Sequence, residues 1–234
     1  MRAIGWFLGA LAIVLATLAG APRVVLAETG GWVRDTATGC AAWSSSLGPE
    51  TGMTWSGPCV GGKASGEGTL QWFRNDRPAG RYQGEYLTGR RHGKGIWWAA
   101  NGDLYDGGWK DDEPAGRGVL RFAAGGRYEG EFRSFRFHGQ GAWRGPTGDR
   151  YEGGFANGEF EGRGTLTYAD GGSYAGDFQA GEFQGMGELR VASGEIFAGP
   201  FVQSRPHGVG RCRLAAGESG SCEFLEGGFV SWVE

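Results

Sequence analysis

Histidine, cysteine and paired carboxylates are the residue types in this sequence that could carry out chemistry. The three histidines, His92, His138 and His207, all stand directly before a Gly-x-Gly and are separated by two and three lengths of a 23-residue period. If each period supplies two strands about 4.8 Å apart, these side chains lie about 20 and about 30 Å from one another. One metal ion cannot collect ligands over such distances. Asp111 and Asp112 fall in a predicted exposed turn, with no pocket to shift their ionisation. The four cysteines, Cys40, Cys59, Cys212 and Cys222, follow an apolar leader; an even count in an exported chain implies two disulfides and leaves no thiol nucleophile. Gly66-Glu67-Gly68 and its copies look like phosphate loops but lack the strand-to-helix context such loops need. No catalytic constellation, metal centre or cofactor site emerges, and the chain is not expected to be an enzyme.

The aromatic residues carry a different chemistry, that of stacking and apolar contact. Tyr82, Tyr105, Tyr128, Tyr151, Tyr174 and Phe197 recur every 23 residues, and each is followed two residues later by glycine and two further by Tyr86, Trp109, Phe132, Phe155, Phe178 or Phe201. Eleven and thirteen residues after each leading ring comes the Gly-x-Gly, from Gly93/Gly95 to Gly208/Gly210. A period of this length marks a repeat architecture. With 49 glycines among 234 residues, and rings between them, the composition favours short strands and tight turns; glycine at that density is incompatible with helix.

The elements that must position the rings are hairpins. Residues 82–86 and 93–97 alternate with period two, residues 88–92 form a turn-rich link, and Asn101-Gly102 is a hairpin signal. The expected fold class is all-β: an elongated single-layer meander of about six regular repeats with degenerate terminal ones. Folding each hairpin about its turn glycine predicts that residue 97 opposes 107 and 95 opposes 109. Trp97 then covers Gly107, Trp143 covers Gly153 and Leu120 covers Gly130, a large side chain filling the gap over a glycine. The opposite face is charged, with Arg121 expected across from Glu129 and Arg144 across from Glu152. On the ring face Tyr82, Tyr86, Trp97, Tyr105, Trp109, Tyr128, Phe132, Trp143, Tyr151, Phe155, Tyr174 and Phe178 are expected to line a binding stripe, unless they pack on neighbouring glycines.

The ends of the array differ from its middle. Residues 1–27 read as a secretory signal peptide, a basic start followed by an apolar run and a small-residue site; the alternative is an uncleaved membrane anchor. Residues 28–54 form an irregular cap, 55–81 a degenerate repeat opened by Trp55, 82–210 the six regular repeats, and 211–234 a capping hairpin. The connection from Trp72 to Gly80 is four residues longer than its equivalents. Four cysteines allow three connectivities; the repeat register favours Cys212–Cys222 across the last hairpin and Cys40–Cys59 between cap and first repeat. Both would staple terminal units, which lack a neighbour.

The unit from Tyr82 to Gly95 resembles the MORN repeat (membrane occupation and recognition nexus), and the resemblance runs from about residue 55 to 210. It implies a sheet of hairpins acting as a non-catalytic binding or scaffolding module. Some members of that family bind acidic phospholipids and others dock a helix or peptide. Asp111-Asp112-Glu113, Glu159 and Glu182 stand where the family commonly has basic residues, which weighs against a lipid headgroup. The cysteine-capped N-terminus is similar to that of exported bacterial members, placing the chain in the periplasm or outside the cell. The expected partner is an unidentified protein or peptide docked along the rings; the alternatives are a membrane lipid, an envelope glycan or a second copy of the chain. A formal net charge of −3 gives no general attraction to nucleic acid.

Overall fold

The structure is a computed structural model that describes residues 30–45 and 51–233. The expected signal peptide lies outside the described residues. The chain divides into two compact units, one ending at Arg136 and the other beginning at Phe137. There is no helix among the described residues, and every long strand is antiparallel to the strands it pairs with.

In the N-terminal unit a small sheet of β1 (Gly31–Arg34), β2 (Ala41–Ser44), β4 (Cys59–Val60) and β5 (Lys63–Ala64) precedes the main one. It takes strands from both sides of residue 54, where the sequence reading divides cap from first repeat. The main sheet runs β3 (Thr51–Trp55), β6 (Gly66–Arg74), β7 (Arg77–Leu87), β8 (Arg90–Trp98), β9 (Leu104–Lys110), β10 (Glu113–Arg121) and β11 (Arg127–Arg133). The C-terminal unit continues the pattern with β12 (Arg136–Arg144), β13 (Arg150–Ala156), β14 (Glu159–Thr167), β15 (Ser173–Gln179), β16 (Glu182–Arg190) and β17 (Ile196–Val202). It ends with β18 (Arg205–Pro206), β19 (Gly208–Arg213), β20 (Ser219–Leu225) and β21 (Gly228–Val233). Within each unit a strand pairs only with its near neighbours in sequence, and the last strand does not return to the first.

Two kinds of turn alternate, each with its own reason. Inside a repeat the loop is two residues long, as at Thr88–Gly89, Asn157–Gly158 and Ala180–Gly181, with both residues at positive φ. That is the primed turn whose twist matches flanking strands. Between repeats the loop has three residues. Ala99 donates its N–H to the Asp103 carbonyl, Gly102 donates to Ala99, and Gly102 takes φ +92°. The glycine is therefore the third loop residue, the left-handed position of a bulged turn, and not the centre of the hairpin.

This geometry corrects the expected register by two residues. Trp97 faces Tyr105 and Gly95 faces Gly107; Trp143 faces Tyr151; Leu120 faces Tyr128. Arg121 likewise faces Arg127, and Arg144 faces Arg150, so the two predicted ion pairs do not form. A two-residue shift leaves every side chain on its predicted face. Glycine thus meets glycine across the strands, and the ring that covers each glycine pair is the leading aromatic. A Cβ on Gly118 would stand 2.6 Å from the Tyr105 hydroxyl and among its ring atoms, and one on Gly107 would meet the same ring. Trp55 covers Gly57 and Gly68 in the degenerate repeat in the same manner.

The Gly-x-Gly has two separate duties. Its second glycine lies beneath the leading ring, while its first takes φ between +60° and +73°, as at Gly93, Gly116, Gly162 and Gly208. There the strand carries two extra residues opposite its partner: Gly84 pairs with Gly95, but Tyr86 pairs with Arg91. The leading tyrosine donates its hydroxyl into this bulged region, Tyr105 to the Gly108 carbonyl at 2.9 Å and Tyr151 to that of Gly154 at 2.9 Å.

Both expected disulfides are present, Cys40–Cys59 and Cys212–Cys222, with Cα separations of 5.7 and 5.9 Å. Cys212 faces Gly220 and Cys222 faces Gly210, so the second bridge crosses the hairpin diagonally.

Candidate binding cleft

Ten of the twelve rings expected on an open stripe are buried. Tyr82, Tyr86, Tyr105, Trp109, Tyr128 and Phe132 form the core of the N-terminal unit, and Tyr151, Phe155, Tyr174 and Phe178 that of the C-terminal unit. Within each unit a leading ring meets the second ring of its own repeat edge-to-face, and the tyrosines also meet the second ring of the next repeat of that unit: Tyr105 lies 5.0 Å from Trp109 and 4.9 Å from Phe132. The series Trp55–Tyr86, Tyr82–Trp109, Tyr151–Phe178 and Tyr174–Phe201 repeats the arrangement. Such pairs add about 0.5–1.5 kcal/mol each beyond the area they bury. The rings are spent on one another, and only Trp97 and Trp143 of the twelve remain part-exposed.

The residue nine positions after each leading ring completes this core, and sequence reasoning missed it. Phe160 stacks on Tyr151 and Phe183 on Tyr174, both at 3.7 Å and nearly parallel. In the first regular repeat that position holds Arg91, whose guanidinium lies 4.2 Å from the Trp109 ring centre and 5.2 Å from that of Trp97. Arg91 is fixed there by Asp112. The carboxylate accepts from the Arg91 backbone N–H at 2.9 Å, from its Nε at 3.2 Å and from Arg90 at 3.2 Å. Asp112 is buried, while Asp111 beside it is exposed as expected of the whole turn.

Trp97 leads to a cleft in the N-terminal unit of about 750 Å³. Its walls are the part-exposed rings of Trp43, Trp72, Phe73 and Trp97, with Arg74, Arg77, Pro78 and Arg91. The volume falls within the range that holds small ligands or a stretch of peptide. The longer connection between Trp72 and Gly80 builds it. Here the hairpin of β6 and β7 does not close with a three-residue loop; it extends through Phe73–Pro78 and Arg74–Arg77 to a two-residue turn at Asn75–Asp76. A bulge between Trp72 and Phe73 re-aims the extension, and Gln71 pins it by donating to the Trp72 and Gly80 carbonyls at 2.9 Å each. Gly80 lies under the Trp97 ring, where a Cβ would come within 2.6 Å of it. The four-residue excess was visible in the sequence; nothing there said that it made a wall.

The cap frames the cleft from the other side. Trp43 donates its N–H to the Gly89 carbonyl at 2.8 Å, and Gly89 donates to Ala64. Arg90 lies over the Trp43 ring at 4.6 Å. Asp35, buried, accepts from the Trp55 N–H at 3.0 Å and from Ala37 at 2.9 Å, tying the cap to β3. Burial alone would raise the Asp35 pKa, but these N–H donors outweigh it and hold the carboxyl below its ordinary value.

His92 sits beside Asp111, Nδ1 to Oδ1 4.0 Å, and among the described residues no three His, Cys, Asp or Glu side chains converge on a metal-sized space. The expected disulfide cysteines lie at the two chain ends of the described fold, away from the cleft lining except for the cap that Cys40 anchors.

The family model of the MORN repeat matches seven segments, residues 60–80, 82–104, 105–127, 128–150, 151–173, 174–195 and 197–219. No curated protein matches the chain. Among solved structures, the chain is similar to the TCP domain of SAS-4 (dCPAP) from Drosophila melanogaster, solved in complex with a proline-rich motif of Ana2 (dSTIL). The two are 14% identical with a TM-score of 0.36, and the match covers 58% of this chain and 75% of that one.

Proposed function

The chain belongs to the MORN-repeat family, whose members commonly serve as binding and scaffolding modules, and from that premise we propose that it docks an extended segment of a protein in the cleft of Trp43, Trp72 and Trp97. One observation carries the reading. The repeat rings are consumed by their own ladder, whereas three tryptophans converge part-exposed around a single concavity built by an insertion that the regular repeats lack. Aromatic residues in a concave site are the usual anchors of a binding partner. The ladder supplies a rigid floor, and the site performs no reaction. Two disulfides support an oxidising compartment, and we place the chain outside the cytoplasm, in the periplasm or secreted.

The test uses the purified full chain with a photo-crosslinking amino acid at position 72 or 143, exposed to envelope extract. Trp72 lines the cleft; Trp143 is part-exposed in the other unit. Crosslinking to a discrete protein from position 72 and not from 143 is the expected result, and it should be lost in Trp97→Ala. Equal crosslinking from both positions, transfer to lipid or glycan only, or a product that is merely a second copy of the chain would each refute docking of a foreign protein segment in this cleft.

A further inference from the structure

We propose that the cleft is selective for an acidic segment, with Arg74 and Arg77 receiving its carboxylates and Trp72 and Trp97 its intervening apolar side chains. The proposal rests on the cleft being the docking site. Its first support is charge. Three of the lining residues are arginines and none is acidic, although the chain as a whole carries a net charge of −3. The positive potential is therefore local to this concavity and not a property of the surface at large.

The second support is the register. Arg74 and Arg77 face each other as a cross-strand pair beside the Asn75–Asp76 turn. Like charges directly opposite one another destabilise a hairpin. Both side chains are exposed, and among the described residues neither forms an ion pair or hydrogen bond, even with the adjacent Asp76. The third cleft arginine is different: Arg91 is already neutralised and oriented by Asp112. The two uncompensated cations stand together at the end of the extension that makes the cleft, next to rings that accept apolar groups. An extended peptide places alternate side chains on opposite sides, so carboxylates and apolar groups in alternation can reach both sets of partners. Guanidinium–carboxylate pairing supplies the directional part of the recognition.

The experiment measures fluorescence polarisation of labelled octapeptides that alternate leucine with glutamate, glutamine or lysine, on the folded full chain. The glutamate peptide is expected to bind about tenfold more tightly than the glutamine peptide, and to lose that margin in high salt. The double variant Arg74→Glu/Arg77→Glu should lose the glutamate peptide and gain the lysine peptide, a reversal that misfolding cannot produce. Equal binding of glutamate and glutamine peptides, lost in Trp97→Ala, would overturn the acidic preference and leave the docking site standing. Failure of every peptide to bind would overturn both. Arginine-dependent uptake of the chain onto phosphatidylserine vesicles without peptide binding would overturn the proposal in favour of a membrane surface.

Discussion

At the scale of single residues, the fold depends on glycine providing space and tyrosine filling it. The leading tyrosines lie flat over glycine pairs and send their hydroxyls to carbonyls of their own strand opposite the bulge, and the energetics follow from that burial. Burial pushes the Tyr151 phenol up to about 12 from its ordinary 10.0, with the Glu161 carboxylate adding to the effect. Tyr82, Tyr105 and Tyr174 are raised for the same first reason. A phenol whose folded pKa lies above its unfolded one contributes stability that is complete below pH 10 and is lost as pH rises through 10 towards 12. Urea midpoints should therefore be level from pH 7 to 9 and fall steeply above 10, and Tyr151→Phe should flatten part of that fall. A midpoint that declines no faster above pH 10 than below it would contradict this account.

At the scale of the element, the strand carrying Gly-x-Gly is not a simple strand. Its bulge, left-handed first glycine and flat second glycine let one hairpin carry both the ring and the carbonyls that ring needs. The sequence shows the hairpins, because alternation and turn glycines are local. It does not show that position nine folds back onto the leading ring, as Phe160 and Phe183 do, since a two-residue bulge separates that position from the Gly-x-Gly alternation that follows. Arg91 holds that position in the first regular repeat, and Asp112 lets its guanidinium lie half-buried against Trp109. Asp112→Ala should cost about 2–3 kcal/mol by leaving Arg91 without its partner, while Asp112→Asn, which keeps an acceptor for the Arg91 N–H, should cost less. Urea denaturation distinguishes them; equal losses would mean that the retained acceptor contributes nothing and that the carboxylate's charge carries the whole effect.

At the scale of the whole molecule, stability is a sum over repeats and their neighbour contacts. Removing residues 151–173 deletes one full period and places Tyr174 where Tyr151 stood, so Trp143 regains a tyrosine partner. That variant should keep a cooperative urea transition with a smaller slope, in proportion to the surface one repeat buries. Removing residues 151–162 instead breaks the period and should abolish the transition. Comparable curves for the two deletions would mean that register does not govern the fold. The two disulfides act at the ends of this series, one joining the cap to the first repeat and one crossing the hairpin of β19 and β20.

The sequence alone determined the repeat, its hairpin unit and the faces of the strands, because each rests on spacing along the chain, and it favoured the observed cysteine pairing among three. Tertiary structure decided where the rings ended up. A loop of three residues instead of one centred on glycine moved every cross-strand partner by two, and neighbouring repeats then closed over rings that a single repeat would leave bare. It also decided that a four-residue excess near Asn75 becomes the wall of a cleft, since only the cap, the bulge at Trp72 and the glycine beneath Trp97 together bring Trp43, Trp72 and Trp97 around one space. Periodicity reports what each residue faces along its own strand; what covers it is set by contacts between segments far apart in the chain.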